Sequence, residues 1–161
     1  MMESSEELYC PHCECPLSLR DHRKRIWRRE GGKKAWLMLG RYKCKECQRL
    51  HIGLPEFLAK YKHYDNRVIE DVLDEVVSED DPGYEDHPCE MTMMRWRNWF
   101  VRNLSAMEGQ IRSAGMRFLD LSDEFLGSTD SLLVELRERI SPGWLGAVLR
   151  IIYNSGGGLA P

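Results

Sequence analysis

No apolar run in this sequence approaches the ~18 residues that a transmembrane helix requires, so no membrane span is expected. The first 20 residues carry Glu3, Glu6 and Glu7 and lack an apolar core, which argues against a secretory signal. A cytoplasmic protein with no membrane partner is the expectation. P-loop, HExxH and GxSxG patterns are all missing. Carboxylates are plentiful, yet their spacing singles out no pair for acid–base work, and an acidic solvated surface accounts for them. No catalytic residue and no small-molecule substrate are therefore expected. The 161 residues suit one domain or two small modules and are too few for a large multi-domain enzyme. Lysine is missing altogether after Lys62.

That last absence marks a division. Residues 1–64 carry 14 Lys+Arg against 8 Asp+Glu, a balance of +6, whereas residues 65–161 carry 9 against 18, a balance of -9. A basic front half facing a polyanion, followed by an acidic or mixed remainder, is what such a split implies.

Six cysteines in an intracellular chain favour metal binding over disulfides. Four form two CxxC pairs, Cys10-Pro-His-Cys13 and Cys44-Lys-Glu-Cys47, separated by 30 residues. A CxxC knuckle points two thiolates at one ion, and two knuckles at the ends of a hairpin complete a tetrahedral Cys₄ site. Cys10, Cys13, Cys44 and Cys47 are thus the expected ligands. Zinc (Zn2+) is the default ion, and iron would fit the same thiolates. Glu14 and Gln48 follow the knuckles at positions where glycine is common. Cys15 is a further thiol nearby, and His12 and His51 are neighbouring donors expected not to ligate. Cys89 stands alone before a helix and reads as a small, half-buried residue.

Between the knuckles, Leu17 to Arg29 and Ala35 to Tyr42 read as the arms of a hairpin turning at Gly31-Gly32. On the second arm Leu37, Leu39 and Arg41 share one face, and Trp36, Met38 and Tyr42 the other. Such a hairpin is too small to fold on burial alone, so the metal would supply much of its stability.

The remainder reads as helical. Asp65-Asn66 caps a helix in which Val68, Ile69, Val72, Leu73, Val76 and Val77 recur at helical spacing, with Glu70, Asp71, Asp74 and Glu75 opposite. Ser78 to Pro88 reads as an acidic loop. A second helix starts near Thr92, with a stripe of Trp96, Phe100, Leu104, Met107, Ile111, Gly115 and Phe118; Gly109 is a candidate interruption. Ser128-Thr129-Asp130 starts a third helix with Leu132, Leu133, Leu136 and Ile140 inward. Ser141-Pro142 starts a fourth, as cap and first helical residue, burying Trp144, Leu145, Val148, Leu149 and Ile152. The expected fold is α+β: a flexible N-terminus over 1–9, a small Cys₄ zinc ribbon over 10–54, a linker over 55–64, a helix-turn-helix-like region over 65–119, a C-terminal helical pair over 120–153 and a flexible tail over 154–161.

Cations crowd the hairpin, where Trp27, Trp36 and Tyr42 are interleaved. Arg23, Lys24, Arg25, Arg28 and Arg29 lie on the first arm, and Lys33, Lys34, Arg41 and Lys43 at the turn and on the second. Cations on a rigid hairpin with rings able to stack suit a phosphate backbone. On the second helix Arg95, Asn98 and Arg102 share a face opposite Trp96 and Phe100. Arg and Asn are the side chains that read guanine and adenine edges. A docking site for an acidic protein partner remains the rival use of the same cations.

The stretch from Cys10-Pro-His-Cys13 through Arg23-Lys-Arg25 to Leu39-Gly-Arg-Tyr-Lys-Cys-Lys-Glu-Cys47 resembles the N-terminal zinc-binding domain of bacterial insertion-sequence transposases. With Leu54-Pro55, Val68-Ile-Glu-Asp-Val-Leu73 and Met94-Arg-Trp-Arg-Asn-Trp-Phe100, it looks like an uncharacterised bacterial family of short transposase-like proteins, in which a zinc ribbon precedes a helix-turn-helix. The resemblance covers residues 10–104. It implies zinc on the four cysteines and DNA contacts from the hairpin and second helix. It also implies a mobile-element origin, or service as an accessory subunit beside a separate transposase. A nuclease domain does not fit in the residues that follow the long helix. The combined expectation is a non-catalytic, zinc-dependent DNA-binding protein, with homodimerisation through the C-terminal helices as a further expected contact.

Overall fold

The computed structural model describes residues 8–77, 88–118 and 131–161. A three-stranded antiparallel sheet comes first, with β1 (Leu17–Arg28), β2 (Lys34–Cys44) and β3 (Leu50–Ile52) in the order β1-β2-β3. Among the described residues four helices follow: α1 (Asn66–Leu73), α2 (Glu90–Phe118), α3 (Leu132–Ile140) and α4 (Trp144–Asn154). The α+β class is therefore as the sequence implies. No helix among the described residues is long and apolar enough to cross a membrane.

β1 and β2 pair from Leu17 with Cys44 to Arg28 with Lys34, with a bulge between Leu19 and Asp21. The turn sits at Glu30–Gly32, where Gly31 and Gly32 take φ of 64° and 65°, a region glycine enters without a Cβ clash. The two faces separated by the alternation on β2 differ in burial: Leu39 is buried, while Trp36 and Met38 are exposed. β3 forms where the sequence pattern, read from Leu50 to Tyr64, implies a linker with short apolar anchors, since three residues are too short to show a period. It pairs Arg41 with Ile52 and Lys43 with Leu50.

The main buried cluster begins at Ala59 and draws on all four helices, with Val68, Ile69, Met93, Trp96, Trp99, Met107, Trp144, Leu145, Val148 and Ile152 among its members. The stripe on α2 broadens to include Met93 and Trp99, and Phe100 and Leu104 pack at its edge. Gly109 does not interrupt this helix. Asn103 lies inside the stripe, its amide bonded to the Trp99 carbonyl at 2.8 Å.

Several helix boundaries and faces differ from the sequence pattern. α1 ends at Leu73, with Glu75 at φ 58°, so Val76 is exposed. Glu70, expected on the polar side, is buried. Its carboxylate accepts from the amides of Gly143 at 2.6 Å and Leu145 at 3.0 Å. It thereby caps α4, whose N-cap is Gly143 at φ 117° rather than Ser141. Pro142 consequently lies outside the helix. A helix N-terminus has unsatisfied donors and partial positive charge, and a carboxylate from elsewhere serves both.

α3 repeats the arrangement. Glu108 of α2 accepts from the Leu132 and Leu133 amides at 3.2 and 3.1 Å and from the Ser131 hydroxyl. Ser131 is the N-cap, and the expected start at Ser128–Asp130 lies outside the described residues. Ile140, expected inward, is exposed at the end of α3. Residues 154–161, expected to trail from the fold, return to α2. Trp99 Nε1 donates to the Ala160 carbonyl at 2.8 Å, and the Ala160 amide donates to Asn103 Oδ1 at 2.9 Å. The apolar side of α4 is spent within the chain, with Trp144, Leu145, Val148, Leu149 and Ile152 all buried.

Sheet and helices meet through the segment 55–65. Trp27 stacks on Phe57 with centroids 4.4 Å apart, and its Nε1 donates to Asp65 at 3.1 Å. The Arg28 guanidinium lies 5.5 Å from the Tyr64 ring centroid, and Tyr64 packs edge-on against Trp96 at 5.0 Å.

Candidate metal centre

The two knuckles face each other across the open end of the hairpin. Cys44 closes β2 opposite Leu17, and the Tyr9–Pro16 bridge holds the first knuckle beside β1. Cys10 Sγ lies 3.6 Å from Cys47 Sγ, and Cys13 Sγ lies 3.4 Å from Cys44 Sγ. All four sulfurs lie within 4.8 Å of one another. A metal–sulfur bond of about 2.3 Å in tetrahedral geometry spaces the sulfurs about 3.8 Å apart, so four thiolates here fit one ion. Cys10 and Cys44 are buried, and Cys13 and Cys47 are partly open.

The knuckles are built alike. The Cys10 sulfur receives the His12 and Cys13 amides, and the Cys44 sulfur the Glu46 and Cys47 amides. The Cys13 sulfur receives the Cys15 amide, and the Cys47 sulfur the Arg49 amide. To aim those last amides back at the sulfurs, the chain turns left-handed after each pair, with Glu14 at φ 58° and Gln48 at φ 59°. These are the two positions where the sequence lacks the glycine that this conformation favours. Amides aimed at sulfur stabilise thiolate, the form that binds metal.

Burial pushes the Cys10 thiol up, but the His12 and Cys13 amides and the Cys47 and Cys13 thiols outweigh it and bring it down to about 6. At Cys13 the Cys15 amide lowers the value, yet the Cys44, Cys10 and Cys47 thiols and burial push it up to about 12. The Cys47 amide lowers Cys44 against burial, with help from the Cys13 thiol. Cys47 is lowered by the Arg49 amide, but burial and the Cys44 and Cys10 thiols raise it overall. The four thiols thus pull against one another, Cys10 and Cys44 lowered and Cys13 and Cys47 raised. A divalent ion removes that conflict and permits four thiolates.

The neighbouring donors take other roles. His51 Nε2 lies 3.4 Å from Cys10 Sγ, placed there by β3, and stands outside the ligand group. Cys15 Sγ turns to the Cys13 carbonyl at 3.4 Å. Cys89, expected half-buried, is exposed at the start of α2. Its sulfur lies 3.3 Å from the Thr92 hydroxyl, and that contact and the Thr92 amide lower its pKa.

The cations divide into committed and outward-facing groups. Arg25 donates to the carbonyls of Ala59 and Lys62, and burial of its guanidinium lowers its pKa. Arg41 grips Asp21 with both sides of its fork. Both hold the fold together. Lys24 lies 4.6 Å from the Trp36 ring centroid, and Arg29 4.9 Å from that of Trp27. Arg23, Lys24, Arg29, Lys33, Lys34 and Lys43 are exposed, and Arg28 is half-buried. On α2 the side chains of Arg95, Asn98 and Arg102 are all exposed on one side of the helix.

The fold and site together define an α+β protein with a four-cysteine centre that could hold a metal ion. The chain belongs to the family described as Domain of unknown function (DUF6431), whose model matches residues 10–96. That span covers both knuckles, the sheet, α1 and the start of α2. No curated protein and no solved structure was found to match the chain.

Proposed function

We propose that the protein is a non-catalytic DNA-binding protein whose sheet is held by one zinc ion on Cys10, Cys13, Cys44 and Cys47. The observation that carries this reading is the exposed cation set of the hairpin, mounted on a rigid sheet whose open end is the four-cysteine cluster. Arg23, Lys24, Arg29, Lys33, Lys34 and Lys43 would meet phosphates, with Trp36 beside Lys24 adding a ring. Arg95, Asn98 and Arg102 would reach base edges in the manner of a helix-turn-helix, with α1 as the supporting helix. Zinc is preferred because a closed set of four thiolates suits a structural ion without redox chemistry. An origin in, or association with, a bacterial mobile element is part of the proposal and rests on the resemblance of residues 10–104 to transposase-like proteins.

Duplex binding measured against salt tests the reading. Neutralising six or more phosphates should lower affinity by roughly 10³-fold or more between 50 and 200 mM salt. Arg23→Ala, Arg29→Ala, Lys33→Ala and Lys34→Ala together should remove most of that slope and leave bound zinc unchanged. Alanine at Arg95 or Asn98 should relax the motif selected from random DNA by ~1–3 kcal/mol of discrimination and spare nonspecific binding. Absence of binding to any nucleic acid sinks the proposal.

A further inference from the structure

A groove of about 790 Å³ opens where the first knuckle, β3, the segment 53–61 and α4 meet, remote in sequence from Arg95, Asn98 and Arg102. Its size falls in the range of small-ligand sites. Arg49, Lys60 and Arg150 line it together with Tyr9, Tyr61 and Tyr153. Glu56 is the sole carboxylate among the described lining residues, and it pairs with Arg150 at 3.3 Å. Both partners of that pair are more than half exposed, so the pair is weak and readily exchanged.

Tyr61 is the unusual member. Its backbone lies in the left-handed region at φ 65°, where a bulky side chain is disfavoured. Nevertheless its side chain is 63% exposed, so little burial offsets that strain. Lys60 Nζ stands 5.5 Å from the ring centroid. The turn is anchored, because the Lys60 amide bonds the Tyr153 hydroxyl of α4 and the Lys62 carbonyl accepts from Arg25. A rigid turn thus presents an aromatic face and a cation at the rim of a positively charged groove.

We propose that this groove binds an unpaired nucleotide of a single DNA strand, with a base stacked on Tyr61 and phosphate held among Lys60, Arg49 and Arg150. Rings stack on any base, and cations beside them take the backbone. The choice of partner rests on the DNA-binding reading above, but the site is separate from the hairpin tip and the α2 face. A strand end or a locally opened duplex would supply the unpaired nucleotide.

The zinc-loaded full chain should bind a fluorescent 15-residue oligothymidylate, with affinity falling roughly 5- to 150-fold in Tyr61→Asn, the range for loss of one stacked base. Asparagine tolerates the left-handed backbone, so this variant should melt no lower than the parent. Lys60→Ala should weaken the same probe and flatten its salt dependence. Affinity for a blunt duplex should be unchanged in both variants. Oligothymidylate binding that ignores Tyr61→Asn overturns the groove proposal, and leaves the DNA-binding reading intact if duplex binding still depends on Lys33 and Lys34. Tyr61-dependent binding without any duplex affinity upholds the groove and overturns the wider reading. Equal competition by polyglutamate also overturns the proposal, since cations alone would then explain the affinity.

Discussion

The sheet and the helical half solve the same stability problem by different means. The main buried cluster begins at Ala59 and includes no residue of the sheet. Within the sheet and knuckles the fully buried apolar and thiol groups among the described residues are Cys10, Leu39 and Cys44. Two of those three are the proposed metal ligands. The helical half instead buries two tryptophans of α2 and one of α4, with aliphatic side chains from every helix. Burial scales with apolar area, so the second half has a core to stand on, whereas the first has little, and the proposed zinc ion would tie its open end. The comparison teaches why the charges divide as they do: a region that need not bury much can present dense cations.

Metal removal should separate the halves most sharply. Structural zinc in small modules contributes an apparent ~10–16 kcal/mol, so chelation or Cys44→Ser should unfold residues 10–54. Amide hydrogen exchange should show protection lost in β1 and β2 and kept in α2 and α4. Simultaneous loss in both halves would break the comparison.

The reciprocal perturbation is Trp144→Ala, which empties a fully buried site packed edge-on against Phe100 at 5.7 Å. It should cost ~3–5 kcal/mol in urea unfolding of the helical half. Metal content of the folded protein should not change.

Glu70→Ala should destabilise the same half by about 2–3 kcal/mol, because two amides at the start of α4 lose a charged acceptor. Ser141→Ala should change stability by less than ~0.5 kcal/mol, since that hydroxyl caps nothing at this helix. A larger effect at Ser141 than at Glu70 in the same unfolding assay would return the cap to the serine.

The smallest expected effect is a gain in the metal half. Glu14→Gly and Gln48→Gly should each stabilise the metal-loaded sheet by about 1 kcal/mol, by relieving left-handed backbone at a non-glycine residue. Chelator competition reads this directly, and a loss of metal affinity in both variants would show that the side chains do more than occupy the turn.

Local signals made much of this legible beforehand. The CxxC spacing named the four sulfurs, the double glycine located the hairpin turn, and the 3.6-residue stripe placed α2 because its period runs over many turns. The absence of glycine after each knuckle was also visible, and its consequence is the matched pair of φ angles at Glu14 and Gln48. β3 was invisible because three residues carry no period, and its role comes from pairing with β2. Arg25 and Arg41 looked like any other cations, since nothing local announces a carbonyl 34 residues away or an aspartate on the neighbouring strand.

The sequence by itself determined the members of the four-cysteine cluster, the hairpin, the helical character of the second half and the separation of charge, because each depends on local spacing or composition. Only the tertiary structure decided where α3 and α4 begin, which cations remain outward and what lies beside the knuckles. Those outcomes depend on partners distant in sequence: Glu108 at the start of α3, Glu70 at the start of α4, and Ala160 against Trp99 and Asn103. A buried polar group takes whichever partner the fold brings within reach, and sequence distance does not enter that energy.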